Sequence, residues 1–414
     1  MDAWTEYRAR KQREIRLLRD APLALWPAAW PDLEGLAGEK RGVFRAHPAF
    51  RAAAAFPETN WADSETRSLG THEIQYNYQR FDLQVSAPPV YPALGPEELT
   101  FYTCSGMAAI AAVISALDRL AQTRIDFWSL SDSYFETQHL VRHYAPHLDV
   151  RVAPSFEVLR ELPSEAFRVL HVDSISASAP DERWGSIAPR TILALFDTTC
   201  YSRGDARIAD TVRRFDALGI PVAVVRSHLK LDSLGMEAGR LGSILLRASP
   251  RCGELQRQAA AGLARLVPDV VRLFGTAPFI DRFFVVADES ELLALSELRA
   301  DRIQSNSAAL ADELERALPP TMQVRRYHHG MFTTHHHPDW TDAAPVKAMA
   351  ARIARRCRSV GCHVAQATSF GFDFTVITDV MDVPTQRFAL RLAPSDEPLE
   401  ALLPLVGAMA EELR

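Results

Sequence analysis

The sequence predicts an α/β fold with a mostly parallel sheet, followed by a smaller α+β unit. From about residue 100, apolar runs of four to six residues alternate with stretches of helical period. These runs are continuous rather than alternating, which is typical of strands buried on both faces of a sheet. The length of 414 residues suits two or three domains better than one minimal domain. We therefore predict an N-terminal arm at 1–75, a large domain at 76–289, and a connector helix with a small C-terminal domain at 290–414.

The order of the predicted elements places strands and helices in alternation. A helix is predicted near 4–20, and residues 60–100 are polar and proline-rich, so we expect a loop there. Ser290 is the expected N-cap of the connector helix, with Glu291 in its first turn. The predicted strands are 100–102, 126–130, 169–172, 193–196, 222–225 and 243–246, then 322–326, 374–379 and 387–392. The further predicted helices are 107–120, 134–144, 205–218 and 290–318, then 343–360 and 396–413.

Composition and charge argue against several classes of protein. Hydrophobic residues make up 47% and charged residues 24%, as in an ordinary globular protein. The net charge of -6 argues against a nucleic-acid surface, and the absence of any run of 18 apolar residues argues against a membrane span. The N-terminus lacks the apolar core of a signal peptide, so we expect a cytoplasmic location. The five cysteines show no paired spacing, which favours reduced, buried thiols.

The predicted N-terminal helix carries one marked cluster of basic residues. We interpret it as a solvated helix face, because the acidic residues Glu14 and Asp20 are interleaved with it. The cluster consists of Arg8, Arg10, Lys11, Arg13, Arg16 and Arg19.

Two segments place polar groups where open α/β sheets bind ligands. Ser105, Gly106 and Met107 lie between a predicted strand and a helix, whose free N–H groups can hold a phosphate. The same pattern also occurs where a serine only caps a helix. Asp197 follows the predicted strand at 193–196, where it can either pair with a pyridinium nitrogen or cap a loop.

Lys230 and Arg391 are the candidate cationic groups of the site. Lys230 follows the strand at 222–225 in the segment Ser227-His228-Leu229-Lys230, and the chain contains few other lysines. A partly desolvated lysine has a lowered pKa and can form an imine, whereas most lysines lie on exposed faces. Arg391, in the strand at 387–392, suits a substrate carboxylate, a structural ion pair or a water-facing edge.

A phosphate turn, an aspartate, a lysine and a late arginine, in this order, resemble the pyridoxal 5′-phosphate (PLP) enzymes of the aspartate-aminotransferase fold type. Shorter motifs narrow the resemblance to the Cys/Met-metabolism family, which includes cystathionine γ-synthase, the cystathionine lyases and methionine γ-lyase. The likeness covers roughly residues 76–400. It rests on Tyr78-Gln79-Arg80, Ser105-Gly106-Met107-Ala108-Ala109-Ile110, Tyr134, Asp197-Thr198-Thr199, Ser227 three residues before Lys230, Ser369-Phe370-Gly371 and Leu390-Arg391-Leu392-Ala393.

The resemblance implies a PLP cofactor that is bound covalently to Lys230 in the large domain. Tyr134 is expected to stack on the cofactor and to act in catalysis together with Lys230. Tyr78 and Arg80 are expected to reach the phosphate of a neighbouring subunit, which implies a homodimer or a homotetramer. The other implied cofactor-binding residues are Ser105, Gly106, Met107, Asp197, Thr199 and Ser227, and the implied substrate-binding residues are Arg391 and Ser369.

The chain departs from the family pattern in the turns around the predicted site. Leu229 replaces the threonine before the lysine, and 173–177 lacks the asparagine expected beside the ring hydroxyl. The segment from Asp197 to Lys230 is longer than usual, and 231–237 does not match the family's Gly-His-Ser-Asp. We interpret the chain as a divergent member of specialised metabolism with an unfamiliar substrate.

These observations predict a PLP-dependent lyase or transferase that deprotonates an amino acid at Cα and then eliminates or replaces a γ or β substituent. Candidate substrates carry a good leaving group, as in an activated homoserine, a sulfonium such as S-adenosylmethionine, or a halide. An aminotransferase would use the same four sites, and a non-catalytic binding protein would keep the same fold. Neither nucleic acid nor a membrane nor a metal ion is expected as a partner.

A histidine-rich stretch at 327–337, with histidines from His328 to His337, admits three interpretations. Imidazoles are common metal ligands, yet no carboxylate or cysteine completes a usual spacing, and consecutive histidines cannot all face one ion. A substrate-facing loop is the second interpretation, because the stretch begins the small domain that borders the cleft in this fold type. A plain surface loop is the third.

Overall fold

The computed structural model describes the chain from the second residue to the penultimate one, with several gaps. The described residues are 2–19, 35, 38–40, 65–69, 71–76, 83–94, 99–161, 165–177, 188–237, 240–278, 283–284, 286, 288–382 and 385–413. The helices are α1 (Ala3–Arg19), α2 (Gly106–Leu120), α3 (Phe135–Tyr144), α4 (Phe156–Glu161), α5 (Ala206–Leu218), α6 (Glu254–Leu273), α7 (Glu289–Ala317), α8 (Ala343–Ser359), α9 (Leu399–Leu402) and α10 (Pro404–Glu412). The strands are β1 (Glu65–Leu69), β2 (His72–Tyr76), β3 (Leu83–Ser86), β4 (Leu99–Thr103), β5 (Ile125–Leu130), β6 (Leu148–Ala153), β7 (Phe167–Asp173), β8 (Thr191–Asp197), β9 (Val222–Ser227), β10 (Gly242–Arg247), β11 (Gln323–Arg326), β12 (Thr333–His336), β13 (Val364–Gln366), β14 (Thr375–Asp382) and β15 (Arg387–Ala393).

The central feature of the fold is a seven-stranded sheet in the order β4-β10-β9-β8-β7-β5-β6. β10 runs antiparallel to both of its neighbours, and the pairs from β9 to β6 are parallel. Every residue of β5 and β8 is buried. One hydrophobic cluster includes α2 and α6, and a second includes α5, so both faces of the sheet are covered. The prediction of a mostly parallel sheet buried on both faces is therefore confirmed.

The small C-terminal unit is built on a five-stranded sheet in the order β11-β12-β15-β14-β13. Its pairs are antiparallel except for β13 with β14. Helices α7, α8 and α10 bury apolar side chains against it, among them Leu310, Ile353 and Met409. The expected α+β unit is therefore confirmed.

The connector helix α7 begins two residues earlier than the sequence predicts. Its N-cap is Asp288, whose Oδ1 accepts a hydrogen bond from the N–H of Glu291 at 3.0 Å. The prediction of Ser290 as the cap is wrong, because the aspartate two residues upstream supplies the capping oxygen and Ser290 lies inside the first turn.

The segment predicted as a loop at 60–100 contains a separate three-stranded antiparallel sheet. β1, β2 and β3 pair in that order, with Glu73 opposite Ser86 in the ladder between β2 and β3. The loop prediction is therefore wrong for these three strands. Ile74 is buried between polar neighbours, and a single apolar residue is too short a pattern to indicate a strand.

The histidine-rich stretch belongs to the small sheet rather than to a surface loop. Its second half forms β12, which pairs with β11 on one side and with β15 on the other. His329 and His335 are buried, and burial lowers the pKa of each imidazole to about 3. Within the described residues, no group of three potential ligands is placed to hold a metal ion. The surface-loop interpretation is wrong for the second half, because β-pairing takes up its backbone and Thr333, Thr334 and His335 are buried. His328 is exposed in the turn before β12.

The interpretation of the N-terminal basic residues as a solvated face is wrong for Arg10 and Lys11. Both side chains are buried. Lys11 Nζ lies 2.5 Å from Asp373 Oδ1, and Arg10 Nη2 lies 2.7 Å from Asp396 Oδ2. These partners are 362 and 386 residues away in the sequence, so no local pattern indicates them.

Three further charged side chains complete this buried group. Lys40 Nζ lies 2.5 Å from Glu14 Oε2 and 3.0 Å from Asp373 Oδ2, and it also donates to the carbonyl of Leu234. Arg299 Nη1 contacts Asp373 Oδ1 at 2.7 Å. Each buried charge therefore has a partner of opposite sign, which offsets the loss of water around it. The group, called the ion cluster below, consists of Arg10, Lys11, Glu14, Lys40, Arg299, Asp373 and Asp396.

The structure also bears on membrane-spanning helices and on the cysteines. No helix of the described residues is both long and apolar enough to cross a membrane. All five cysteines are unpaired and four are buried, which agrees with the expectation of reduced thiols. The buried ones are Cys200, Cys252, Cys357 and Cys362.

We expect Lys11→Met to lower the free energy of unfolding by about 3–5 kcal/mol, because it leaves Asp373 in the buried cluster with one cation fewer. Arg13→Met is the matched control on the same helix. Arg13 pairs with Glu291 at 2.7 Å, but the two side chains are 40% and 28% exposed, so we expect a loss of at most about 1 kcal/mol. Denaturant unfolding measures both values. Equal losses would contradict the argument from burial.

Candidate active site

The carboxyl ends of β7, β8 and β9 meet the amino end of α2 at one edge of the large sheet. Because neighbouring parallel strands end at the same edge, Asp173, Asp197 and Ser227 are brought to one side of the molecule. Antiparallel β10 starts at this edge with Gly242, opposite Ser227. The edge therefore collects polar groups from segments that are far apart in the sequence.

The amino end of α2 packs directly against the end of β9. Ser105 caps the helix, and its Oγ accepts a hydrogen bond from the N–H of Ala108 at 3.1 Å. Gly106 has no room for a side chain, because a Cβ there would lie 2.7 Å from the Cβ of Ser227. The N–H groups of Gly106 and Met107 have no acceptor inside the helix. Together with the nearby serine hydroxyls, they form a site that suits a phosphate group, called the anion site below.

A chain of hydrogen bonds links the anion site to Asp197. The Oγ1 of Thr199 accepts a hydrogen bond from the N–H of Ser227 at 3.1 Å. Asp197 Oδ1 in turn accepts one from the N–H of Thr199 at 2.8 Å. Burial raises the pKa of Asp197 above its ordinary value, although the hydrogen bonds from Thr199 oppose this rise. A buried carboxylate of this kind is stabilised by a cation, such as a protonated ring nitrogen.

Asp173 also lies at this edge, although it was not among the residues predicted for the site. It ends β7 in register with Asp197 on β8. Its Oδ2 accepts a hydrogen bond from the N–H of Tyr134 at 2.8 Å, and its Oδ1 accepts one from the N–H of Ile175 at 2.9 Å. Burial and the neighbouring Asp197 raise the pKa of Asp173 well above its ordinary value. A signal was present in the sequence, since both aspartates directly follow a predicted apolar strand.

Tyr134 precedes α3, and Asp173 holds its backbone. Burial raises the pKa of the Tyr134 phenol above its ordinary value, and the neighbouring Glu136 adds to this rise. The phenol therefore keeps its proton at neutral pH. The same glutamate also acts electrostatically on Lys230, so these side chains lie in one neighbourhood.

Lys230 is the lysine that the structure brings to this neighbourhood. Of the four lysines in the chain, two belong to the ion cluster and Lys347 is exposed on α8. Lys230 Nζ donates a hydrogen bond to Ser369 Oγ and lies 5.7 Å from the centroid of the Phe370 ring. Burial lowers the pKa of Lys230, so a larger fraction of free amine is present at neutral pH than in water.

A buried hydrogen-bond network holds the turn that carries Lys230. Arg226 donates to both carboxylate oxygens of Asp232, at 2.7 and 2.6 Å. His228 bridges Asp232 and Ser243, with 2.7 Å from Nδ1 to the carboxylate and 2.8 Å from Nε2 to the hydroxyl. These contacts fix residues on both sides of Lys230, so the fold rather than the lysine side chain sets its position.

Arg391, in β15, reaches the site from the small unit. Its Nη2 donates to the carbonyl of Thr368, and its guanidinium lies 5.3 Å from the centroid of the Phe332 ring. Phe332 comes from the histidine-rich stretch, which therefore borders the site. The Nε of Arg391 is buried without a hydrogen-bond partner, and within the described part of the chain no carboxylate pairs with it. Burial lowers the pKa of the guanidinium, and an arginine in this state suits an incoming carboxylate.

Gly371 joins the turn of Lys230 to the segment of Ser369. Its φ is +82°, and a Cβ there would lie 3.0 Å from the carbonyl oxygen of Lys230. Its own carbonyl accepts a hydrogen bond from Arg299 Nη2 at 3.3 Å, and Asp373 follows two residues later. The ion cluster thus holds together the two segments that meet at Lys230.

Two predicted site residues, Tyr78 and Arg80, lie outside the described residues, so their role at the phosphate of a neighbouring subunit stays a prediction. The other predicted residues fall into two groups that meet at Lys230. The group at the sheet edge is Ser105, Gly106, Met107, Tyr134, Asp197, Thr199 and Ser227, and the group from the small unit is Ser369 and Arg391.

Comparison with known proteins adds information on the fold. No protein-family model matches the chain, and no curated protein matches it in sequence. It is similar to a solved structure described as an O-acetylhomoserine (thiol)-lyase (metY) from Campylobacter jejuni, with a TM-score of 0.55 and 14% identity over 78% of this chain and 84% of that one. That structure contains N′-pyridoxyl-lysine-5′-monophosphate. It is also similar to metB from Corynebacterium glutamicum, with a TM-score of 0.52 and 15% identity over 76% and 81% of the two chains. The chain shares the fold of these proteins, which confirms the predicted fold class, a large α/β unit of the aspartate-aminotransferase type with a smaller α+β unit.

Proposed function

We propose that this chain is a PLP-dependent enzyme that acts on an amino acid, removing the Cα proton and then eliminating or replacing a substituent at the γ or β carbon. The observation that carries the proposal is the position of Lys230. This desolvated lysine lies at the same edge of the sheet as the anion site and the buried Asp197. The pyridoxyl-lysine in one of the similar structures supports the same cofactor for this chain.

The residues at the edge fit this cofactor group by group. The amides and hydroxyls of the anion site suit the phosphate, and the space at Gly106 is too narrow for a Cβ. Asp197 suits the protonated ring nitrogen, Lys230 suits the aldehyde carbon, and Tyr134 suits the face of the ring. When bound, PLP supplies a ring that withdraws electrons from the Cα of an amino acid.

The described side chains divide the remaining tasks of the reaction. The free amine of Lys230 accepts the Cα proton, and the hydroxyl of Ser369 orients that amine. Arg391 binds the substrate carboxylate, and the adjacent ring of Phe332 shields this ion pair from water. Tyr134 keeps a proton that it can donate to the leaving group.

The proposed substrate is an amino acid with a good leaving group, such as an activated homoserine, a sulfonium or a halide, in specialised metabolism. The motif resemblance supports γ chemistry, and the divergent turns around Lys230 support an unfamiliar substrate. We further propose a homodimer or homotetramer in which Tyr78 and Arg80 complete the phosphate site across the interface. A stable monomer with full cofactor occupancy, observed by sedimentation, would contradict the assembly.

The direct test is the visible absorbance of the protein with added PLP. We expect a band in the wild type that borohydride fixes onto Lys230, and its loss or displacement in Lys230→Ala, because the amine that forms the covalent bond is removed. Lys347→Ala is the matched control, since Lys347 is an exposed lysine on α8 and its variant should keep the wild-type band. A wild-type protein that stays colourless with PLP would overturn the proposed function.

The products separate this reaction from the two alternatives. Release of ammonia with a keto acid, or of a substituted amino acid, supports elimination or replacement. Stoichiometric conversion of the cofactor to its amine form would indicate an aminotransferase. If the protein binds PLP and no amino acid changes the absorbance spectrum of the bound cofactor, the chain is a non-catalytic protein of the same fold.

We expect Arg391→Met to lower kcat/KM for an amino acid by at least about 10-fold, because the carboxylate loses a partly buried, charged hydrogen-bond donor worth about 1.5–3 kcal/mol. An amine that lacks the carboxylate should react equally well with the wild type and the variant. Arg326→Met is the control, since Arg326 forms exposed ion pairs with Asp312 and Glu315. Equal losses for the amino acid and the simple amine would contradict carboxylate binding by Arg391.

We expect Gly106→Ala to weaken PLP binding at least tenfold and to lower the free energy of unfolding by about 1–3 kcal/mol, because the new methyl group forces α2 away from β9. Gly407→Ala in α10 is the control. A Cβ at Gly407 meets no atom within 4 Å, so this change should stabilise the helix by about 0.5–1 kcal/mol and leave PLP affinity unchanged. Wild-type affinity in Gly106→Ala would remove the anion site from the proposal.

A further inference from the structure

We propose that Asp173 and Asp197 form one two-carboxylate site, which holds a single shared proton before the cofactor binds and exchanges that proton for the cationic ring nitrogen. The second half of this inference rests on the proposed function, since it takes PLP as the source of the cation. The first half concerns the cofactor-free protein alone. The exchange is balanced, because the pair releases its proton to the solvent and one positive charge takes the proton's place.

The sheet itself brings the two carboxylates together. Asp173 and Asp197 are register partners at the ends of adjacent parallel strands, β7 and β8. Adjacent strands lie about 4.8 Å apart, and register partners point to the same face of a sheet. The two residues are only 8% and 7% exposed. The two carboxylates therefore lie on the same buried face at the ends of neighbouring strands.

Backbone hydrogen bonds prevent the two carboxylates from turning away from each other. Asp173 is held through one oxygen by the N–H of Tyr134 and through the other by the N–H of Ile175, at 2.8 and 2.9 Å. Asp197 is held by the N–H of Thr199 at 2.8 Å. Each aspartate is fixed from a different loop, so the repulsion between them cannot be relieved by a change of rotamer.

In the described part of the chain, the cation that acts on Asp197 makes its hydrogen bonds elsewhere. Arg226 lies near Asp197, but its guanidinium donates to both oxygens of Asp232 and to the carbonyls of Thr198 and Tyr201. Its charge lowers the pKa of Asp197, but this effect is smaller than that of burial, which raises it. The pair therefore depends on a proton or an external cation.

His171, on β7, is the imidazole that faces the pair. Its Nε2 lies 3.8 Å from Asp173 Oδ2, and its Nδ1 is 3.0 Å from Ser129 Oγ. Burial lowers the pKa of His171 to about 3, so the ring is neutral at neutral pH. The imidazole therefore does not supply the missing positive charge.

Among the residues that the structure describes, the remaining titratable groups around the pair do not supply it either. Burial raises the pKa of the tyrosines and of the cysteine thiol that face the two aspartates, so these groups are neutral at neutral pH. Asp132 adds a further negative charge, and Lys230 is bound to Ser369. The neutral groups are Tyr91, Tyr134, Cys200 and Tyr201.

The electrostatics of the pair agree with this geometry. Burial, together with Asp197, raises the pKa of Asp173 well above 3.8, and burial also raises the pKa of Asp197. When two carboxylates interact in this way, the proton belongs to the pair and not to either residue alone. Binding of a cation then expels the proton, and Asp173 strengthens the negative charge that Asp197 presents to the ring nitrogen.

The first test uses cofactor-free protein and infrared spectroscopy at neutral pH. We expect the band of a protonated carboxyl group in the wild type and its loss in Asp173→Asn, because Asp173 is the carboxyl group of the pair whose pKa is raised the more. Asp126→Asn is the matched control, since Asp126 is another buried aspartate on a strand of the same sheet but lies in β5. Asp197→Asn should also lose the band, and it replaces the first variant if that variant does not fold. A wild type without the band would overturn the proposal.

The pH dependence of the free energy of unfolding is a second test on the cofactor-free protein. A carboxyl group whose pKa is raised by folding stabilises the protein below its unfolded pKa, and this contribution is lost as the pH rises. We therefore expect the unfolding free energy of the wild type to fall, relative to Asp173→Asn, as the pH rises from about 4 towards neutral. A constant difference over this range would contradict the shared proton.

The second half is tested by calorimetry of PLP binding at pH 7 in two buffers that differ in ionisation enthalpy. We expect the wild type to release about one proton more than Asp173→Asn. An analogue with carbon in place of the ring nitrogen should remove this difference, because it brings no cation. Equal proton release by the wild type and Asp173→Asn would overturn the exchange. A wild type that does not bind PLP would overturn the proposed function and the exchange together, while the infrared result on the cofactor-free pair would stand.

Discussion

The buried ion cluster is the constraint on which the rest of the site depends. Taking charged side chains out of water is costly, so the cluster is stable only when all of its members meet. This requirement fixes α1, the turn after Lys230 and the segment of Ser369 in one arrangement, through contacts to Asp373, the carbonyl of Leu234 and the carbonyl of Gly371. The amine of Lys230 therefore has a defined position before any ligand binds, as the proposed function requires of a preorganised site.

The sheet edge supplies the opposite half of the site by a different physical route. The anion site, Asp197 and the turn of Lys230 converge because parallel strands end together, and the helix that follows β4 presents its free amides there. The low polarity of the surroundings raises the pKa of the acids and lowers the pKa of the lysine. Burial thus leaves the acids dependent on a proton or a cation, and it favours the free amine of Lys230. In the proposed function, Arg391 adds the cation that binds the substrate carboxylate.

Most features that depend on neighbouring residues in the sequence were predicted correctly, and most features that depend on distant residues were not. Six of the seven strands of the large sheet were predicted, because each contains a local apolar run, as in β8. β6 was missed, because Asp149 and Arg151 interrupt its apolar residues. The burial of Lys11 was not predicted, because its partner Asp373 lies 362 residues away in the sequence. The short polar strands around Ile74 were not predicted, because they contain too few apolar residues to form a pattern. His335 was read as part of a loop, since consecutive histidines look solvated until β-pairing buries them. Asp173 was not predicted as a site residue, although it follows a predicted strand in the same way as Asp197.

The sequence by itself determined the fold class and the candidates Asp197 and Lys230, because strand patterning and the residue at a strand end are local properties of the chain. Only the tertiary structure decided that Asp173 faces Asp197, that Lys11 is buried, and that Arg391 has no carboxylate partner among the described residues. These features depend on which distant segments meet and on how much water they exclude. Charge interactions gain their strength from that exclusion, and no local pattern of residues encodes it.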